Sequence, residues 1–292
     1  MPMKDVFQKK PPYFEGWYVK LQTKSGQALG LIPAFHKEKD GTCRASLQVI
    51  TKEKTWFLEY PGSAFYHCRS RFLVRVGEAC FAKNGLRLGI EKDGLSLHGA
   101  VSFGPFLPLS SDIMGPFRFY SPMECSHGVL SMAHFLRGTL TLNGEPLNFD
   151  GGMGYLETDR GRSFPSSYLW TQCFWPGTSS LMLSIAKIPM GKLHFTGTIC
   201  AIYHQGKEYR LATYLGARIR HWSKDGAEIQ QGKYRLVATR LNGSGCPLLA
   251  PMDGGMCRTV QESLSCIMHY EFWFGDRLLF AHTDPCASFE FA

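Results

Sequence analysis

Short apolar runs separated by tight-turn dipeptides most strongly limit what this 292-residue chain can fold into. Asn84-Gly85, Asp93-Gly94 and Asn143-Gly144 each lie between two such runs. These residue types accept positive φ and therefore favour two-residue hairpin turns. Few windows keep a 3.6-residue apolar period for three turns, and only the segment around 123–135 is predicted to be helical. The sequence therefore predicts an all-β fold built mainly from antiparallel hairpins.

The chain also contains two loosely similar halves. The segment at 139–157, TLTLNGEPLNFDGGMGYLE, is echoed by YEFWFGDRLLFAHTDPCASFEF at 270–291. Repeats in one order indicate duplication, although chance similarity among β-hairpins is the alternative. We predict a lead over 1–12 and two antiparallel β-barrel-type domains over 13–157 and 158–292. A small barrel or the junction of two such domains can hold one small ligand.

Composition argues against several classes of function. Lys and Arg exceed Asp and Glu by 32 to 24, but these charges are scattered and form no long basic block, so we predict no nucleic-acid partner. The chain contains no HExxH, no CxxC and no nucleotide-binding glycine motif. We therefore predict neither a metal site nor a cofactor.

The ten cysteines and the N-terminus suggest a compartment. No secretory apolar segment opens the sequence, so we predict a cytoplasmic protein whose cysteines are free thiols. The longest uncharged run, 163–186, is interrupted by Pro165, Pro176 and Gly177. It does not have the pattern of a membrane span, and we predict peripheral membrane association at most.

The segment GYLETDRGRSFPSSYLW at 154–170 carries the strongest candidate site. In a strand, Tyr155, Glu157 and Asp159 share one face, whereas Leu156 and Thr158 share the other. The pKa values of two neighbouring carboxyl groups in an aromatic pocket move apart, and burial raises the pKa of at least one of the two groups. This pattern predicts a carboxylic acid that keeps its proton near neutral pH.

Two arginines leave a structural alternative open for these acids. Arg160 and Arg162 follow directly, so the carboxylates could form ion pairs at a domain junction. The aromatic residues Tyr168 and Trp170 come next and instead favour a pocket wall.

A second candidate segment is SPMECSHG at 121–128. Glu124 and His127 lie here between a proline and a glycine, and histidine can hold or relay a proton at physiological pH. A thiol nucleophile made of Cys125 and His127 is conceivable, but the sequence indicates no third group to orient it. A core histidine bonded to the backbone is the structural alternative.

A third candidate is PPYFEGWYVK at 11–20. Glu15 lies here among aromatic residues that include Trp17 and Tyr18. Such a carboxylate lines a pocket, pairs with an arginine or lies at a strand edge in water. Gln172, which lies 150 residues after Gln22 in the repeat, is included as a further candidate for substrate binding.

These segments together resemble the tocopherol cyclase-like family. The resemblance rests on PYFEGWYVKL, on the following LGLIPAF, on GYLETDRGRSFPSSYLWTQ and on LLAPMDGGMCRTVQES at 248–263. Arg160 departs from the pattern, because the family usually has Trp there. The family is more distantly similar to carotenoid 1,2-hydratases and to a lipocalin-like fold of two barrel-like domains.

The resemblance implies an activity and a set of roles. Glu157 matches the acid that protonates an alkene, Tyr155 matches its neighbouring tyrosine, and His127 matches an upstream histidine. The implied substrate is apolar: a prenylated quinol, another isoprenoid or a polyene. We therefore expect a cofactor-independent cyclase or hydratase. A non-catalytic carrier of an apolar molecule and an interaction module with structural charges are the two alternatives.

Overall fold

The structure, a computed structural model, describes residues 6–68, 70–120, 123–190, 193–243 and 245–292. The first five residues of the predicted lead lie outside this description. Strands make up 69% of the chain, and the described part contains no α-helix, which confirms the all-β prediction. Accordingly, no described helix offers the length and apolar character needed to cross a membrane.

Two of the three predicted dipeptides, Asp93-Gly94 and Asn143-Gly144, form hairpin turns. At the third, Gly85 already pairs with Ala82, so the turn lies one residue earlier, at 83–84. Asp93 and Gly94 have φ of 52° and 76°, and Asn143 and Gly144 have φ of 49° and 90°. Positive φ at both central residues matches the twist of the flanking strands, which is why these dipeptides fix the hairpins.

The strands form two large antiparallel sheets, one of them nearly barrel-shaped. The first sheet contains β1 (Tyr13–Gln22), β2 (Ala28–Lys37), β3 (Cys43–Ile50), β4 (Thr55–Pro61), β5 (Phe65–His67), β6 (Leu73–Val76), β7 (Ala79–Ala82), β8 (Gly85–Lys92), β9 (Leu95–Phe103), β10 (Cys125–Leu142), β11 (Glu145–Asn148) and β12 (Met153–Gly161). The second sheet contains β13 (Tyr168–Trp175), β14 (Ser179–Met190), β15 (Leu193–His204), β16 (Lys207–Ala212), β17 (Arg218–Ser223), β18 (Gly226–Gln231), β19 (Tyr234–Asn242), β20 (Cys246–Met252), β21 (Gly255–Phe274) and β22 (Arg277–Phe291). Short 3-10 turns cover Val6–Gln8, Gly62–Ala64, Gly115–Phe119 and Thr213–Leu215.

Both sheets repeat one strand order. In the first, the order begins β4-β3-β2-β1-β12-β10-β9-β8, and in the second it is β16-β15-β14-β13-β22-β21-β19-β18-β17. In each, the first strand lies between the second strand and the last strand, as a duplicated unit predicts. Strand β12 continues past residue 157 to Gly161, and residues 162–167 connect the sheets. The domain limits stay a prediction.

The expected helix around 123–135 is wrong, because this segment belongs to β10. Strand β10 pairs with β12 through register shifts between Val129 and Ser131 and between Ser131 and His134. Such bulges break the two-residue alternation of a strand. The apolar residues therefore lose the strand period here and imitate a helical one.

Three apolar clusters hold the fold together. One lies within the first sheet around Phe35, and a second lies within the second sheet around Phe272. The third lies between the sheets and includes Tyr155 of the first and Trp170 of the second. All ten cysteines are free thiols in the structure.

Candidate active site

A cavity lies between the two sheets and borders the third apolar cluster. Its volume of about 160 Å³ is room for a small organic molecule. Its walls come from both sheets and from the hairpin of β20 and β21, which contributes Leu248, Pro251 and Met256. The cavity is therefore placed where a junction of two β units was expected to bind a ligand.

Small residues on the first sheet leave the floor of the cavity open. Gly16 of β1 lies opposite Ala34 of β2 on one side and Asp159 of β12 on the other. A side-chain carbon at position 16 would lie 3.3 Å from the Ala34 methyl group, tighter than most such contacts. Any larger residue at position 16 would therefore crowd Ala34 in this part of the cavity wall.

Strand alternation places the predicted acids as the sequence indicates. Glu157 and Asp159 line the cavity, and Tyr155 is fully buried directly beneath it. Leu156 points the other way, into the apolar cluster of the first sheet. These positions place Glu157 and Asp159 on the cavity face and Leu156 on the opposite face, as alternation along one strand predicts.

Strand pairing brings His127 to these acids. His127 of β10 lies opposite Asp159 of β12, and its Nδ1 lies 3.0 Å from Asp159 Oδ1. Its Nε2 lies 3.4 Å from Glu157 Oε2, an ion-pair distance that is long for a hydrogen bond. The imidazole therefore bridges two carboxylates, with only 12% of its side chain exposed.

The contacts of Glu157 converge on one oxygen. Oε2 accepts a short hydrogen bond from the Tyr155 hydroxyl and a 3.3 Å bond from the Trp170 indole N–H. His127 faces the same oxygen. Because the donors converge on Oε2, the proton of the neutral acid belongs on Oε1. The same donors then stabilise the carboxylate that remains after Oε1 has lost its proton.

Burial and charge set the protonation states of the cluster. Burial raises the pKa of Glu157 to about 7; the positive charge of His127 opposes the rise and the charge of Asp159 adds to it. Burial alone would lower the pKa of His127, but the charges of Asp159 and Glu157 outweigh it and raise the pKa to about 9. Burial and Glu157 also raise the pKa of Tyr155 well above its ordinary value, so its hydroxyl remains a donor.

The same contacts disfavour a thiol nucleophile. The Cys125 thiol lies 3.4 Å from Asp159 Oδ1 and does not contact His127 in any described hydrogen bond. Burial, together with the charge of Asp159, raises the pKa of this thiol well above its ordinary value. Cys125 is therefore held as a neutral thiol rather than as a reactive thiolate.

The cluster also has the spacing of a cation site. One ligand atom each from His127, Glu157 and Asp159 lies within 4.8 Å of the others. Both imidazole nitrogens face carboxylate oxygens, however, and Tyr155 and Trp170 already donate to Glu157. This donor pattern fits a proton-transfer chain better than a metal centre.

Four of the residues predicted to bind substrate border the cavity. Tyr18, Tyr168 and Trp170 line it, and the Tyr18 and Trp170 rings meet edge to face at 5.2 Å. Trp17 also borders the cavity, but its ring packs inside the first sheet, 6.2 Å from the ring of Phe65. Of these aromatic residues, Tyr18 lies opposite Glu157 in the pairing of β1 with β12, and Trp170 donates to it, so both rings are next to the acid at the cavity wall.

Two predicted site residues lie on the face of the first sheet that points away from the cavity. Glu15 and Arg160 form an opposed pair of β1 and β12, one residue out of phase with Gly16 and Asp159. Glu15 instead accepts a 3.0 Å bond from the Tyr13 hydroxyl, and Arg160 is exposed. Neither lines the cavity, because one residue of strand phase reverses the direction of a side chain.

Glu124 and Gln172 are also outside the cavity wall. Glu124 pairs with Arg162 at 3.3 Å near the surface, so Arg162 does not neutralise the central acids. Gln172 is fully buried and accepts a 3.1 Å bond from Lys20 Nζ. Neither residue lines the cavity, and their role in binding stays a prediction.

Sequence reasoning missed two ionisable residues of the wall. Glu290 lines the cavity from β22 and accepts a short hydrogen bond from the Tyr168 hydroxyl. His36 lines it from β2, and burial lowers its pKa to about 3, so it is neutral. The C-terminal echo of 139–157 was the available signal for Glu290, since both segments end on a strand that carries a glutamate.

The shifted pKa values predict how stability depends on pH. Folding raises the pKa of Glu157 from 4.5 to about 7 and the pKa of His127 from 6.5 to about 9. Between the lower and the higher value of each group, the folded chain therefore holds more protons than the unfolded chain. The contribution of both groups to the free energy of unfolding is complete at low pH, and it is lost as pH rises through their pKa values in the folded state. The melting temperature should therefore fall between about pH 5 and pH 9. The fall should be smaller in Glu157→Gln and unchanged in the exposed control Glu145→Gln. Parallel melting curves for wild type and Glu157→Gln would contradict the assigned shifts.

Comparison with known proteins supports the fold. No protein-family model matches the chain, and no curated protein matches it significantly. Kievitone hydratase from Nectria haematococca is similar over 99% of this chain and 93% of its own, with a TM-score of 0.53 and 11% identity. A candidate AttH from Nitrosomonas europaea is similar over 95% and 91%, with a TM-score of 0.50 and 15% identity. The chain therefore has a fold like that of a known hydratase, at a level of identity that shows the fold alone.

Proposed function

We propose that this protein is a cofactor-independent hydratase or cyclase that protonates a double bond of an apolar prenylated or polyene substrate. The main support for this proposal is the environment of Glu157 at the wall of an aromatic cavity. This acid is buried, its pKa lies near 7, and its Oε2 accepts hydrogen bonds from two donors. The tocopherol cyclase-like motifs and the hydratase-like fold support the same class of reaction.

The reaction begins with proton transfer. Oε1 of Glu157 gives its proton to the less substituted alkene carbon, and the π electrons form the new C–H bond. The positive charge that develops on the other carbon lies beside Tyr18 and Trp170, whose ring faces attract cations. An oxygen atom, from water or from a hydroxyl of the substrate itself, then forms the C–O bond and releases its proton.

His127 and Asp159 restore the acid. The imidazolium lies between the two carboxylates and can return a proton to Oε2 of Glu157 after product formation. Rotation of the carboxyl group then brings the protonated oxygen to the position of Oε1. Asp159 keeps the ring oriented and charged through the bond to Nδ1. This relay resembles other sites in which neighbouring ionisable groups hold their pKa values apart.

Incubation with ortho-prenylphenol tests this proposal. This probe reports both outcomes, since ring closure leaves its mass unchanged and hydration adds one water. We expect either product, detected by chromatography and mass spectrometry, at an undiminished rate after dialysis against EDTA. Saturable binding of the probe, seen by tryptophan fluorescence without any product, would instead identify a carrier.

The pH dependence gives a second test of the acid. The active form requires the proton on Glu157, so kcat/KM for the probe should fall as pH rises through about 7. The fall should follow one proton, and activity should persist at pH 5 to 6. A rate that increases through pH 7 would indicate a carboxylate base and would contradict a proton donor.

A further inference from the structure

Glu290 is a second buried carboxyl group at the cavity, on the opposite sheet from the acid. It is 7% exposed, lies near the end of β22 and lines the cavity together with Tyr168. The Tyr168 hydroxyl donates a short hydrogen bond to its Oε1. Burial of a carboxyl group is costly unless the group is hydrogen-bonded, and the bond from Tyr168 holds Glu290 in place at the cavity wall.

Trp170 connects the two carboxyl groups. It lies directly opposite Glu290 in the pairing of β13 with β22, and opposed residues of an antiparallel pair share one face of the sheet. The indole N–H of the same residue donates to Glu157 Oε2 at 3.3 Å. A substrate lying against Trp170 would therefore have Glu157 at one side and Glu290 at the other.

We propose that Glu290 is the base that takes the proton of the attacking hydroxyl, an inference that rests on the proposed function. The Oε1–H bond of Glu157 breaks as the C–H bond forms. The C–O bond then forms, and the oxygen loses its proton to a carboxylate oxygen of Glu290. Glu157 has then lost one proton to carbon, and Glu290 has gained one from oxygen. Glu290 releases its proton to solvent when the product leaves, and Glu157 regains one through His127.

Glu157 and Glu290 lie on different sheets, so the loss of each carboxyl group should affect a different step of the reaction. The Glu157 carboxylate that remains after protonation has its Oε2 surrounded by donors, which stabilise the charge and weaken the group as a base. Glu290 is oriented by Tyr168, which acts as a positioning residue. Loss of Glu290 should therefore leave alkene protonation intact and block the capture of the cation.

Deuterium exchange separates these two steps. In deuterium oxide, the cation formed from ortho-prenylphenol is either captured by oxygen or returns to an alkene that now carries deuterium. We expect Glu290→Gln to lose product by about 10²-fold or more while the recovered probe still gains deuterium. Tyr168→Phe should show a weaker shift in the same direction, and Glu157→Gln should lose both product and exchange.

The controls make each outcome decisive. Asp276→Asn, in the exposed turn before β22, should behave as wild type, and melting curves should show that every variant is folded. The role of Glu290 would be overturned if Glu290→Gln lost product and exchange together, or if it retained product. Either result would leave the proposed function in place. Neither product nor exchange in the wild type would overturn both proposals.

Discussion

Glu157→Gln is expected to lower turnover of ortho-prenylphenol by about 10²–10⁴-fold, the usual contribution of a positioned general acid. The amide preserves the shape of the side chain and its hydrogen bonds to Tyr155 and Trp170, but it has no carboxylic proton. Binding of the probe, measured by fluorescence titration, should change much less than turnover. The effect should therefore appear in kcat rather than in KM.

Two matched variants separate chemistry from folding. Leu156→Met lies on the opposite face of the same strand, inside the core of the first sheet, and conserves volume, so rate and binding should stay near those of wild type. Asp159→Asn should be intermediate, because it removes the charge that holds His127 as a cation. If Glu157→Gln unfolds the chain but leaves activity per folded molecule intact, the acid is structural.

Lys20→Met is expected to lower the free energy of unfolding by about 2–4 kcal/mol, because it leaves buried acceptors without a donor. Lys20 belongs to β1 and is fully buried. Its ammonium group donates to Gln172 Oε1 at 3.1 Å and to the Cys286 carbonyl at 2.8 Å, and both acceptors belong to the second sheet. This residue therefore joins the two sheets.

Urea unfolding of the two chains measures this loss. Lys83→Met provides the control, because Lys83 is exposed and should change stability by less than about 0.5 kcal/mol. A Lys20→Met chain as stable as wild type would show that the apolar methionine compensates fully for the missing bonds. It would also show that the hydrogen bond from Lys20 to Gln172, a residue first predicted to bind substrate, does not contribute to the free energy of unfolding.

The local rules of the sequence determined the class of fold and part of the site. Positive φ at Asp93-Gly94 and Asn143-Gly144 fixes hairpins, because the geometry is set by two residues. The two-residue period likewise placed Tyr155, Glu157 and Asp159 on one face, since these residues occupy a single strand. His127 was already a candidate in its own segment, but only the resemblance connected it with Glu157, because no local rule relates a histidine to an acid thirty residues away.

Only the tertiary structure decided which faces meet. The pairing of β1 with β12 turns Glu15 and Arg160 away from the cavity, and the bulges of β10 make a strand of the segment expected to be helical. The position of Glu290 opposite the acid follows from packing one sheet on the other. Turn and alternation rules act over a few neighbouring residues, whereas strand partners and enclosed faces are selected by burial between segments far apart in the chain. The sequence therefore determined the strands and the acid, and the packing of the two sheets decided the cavity and its second carboxyl group.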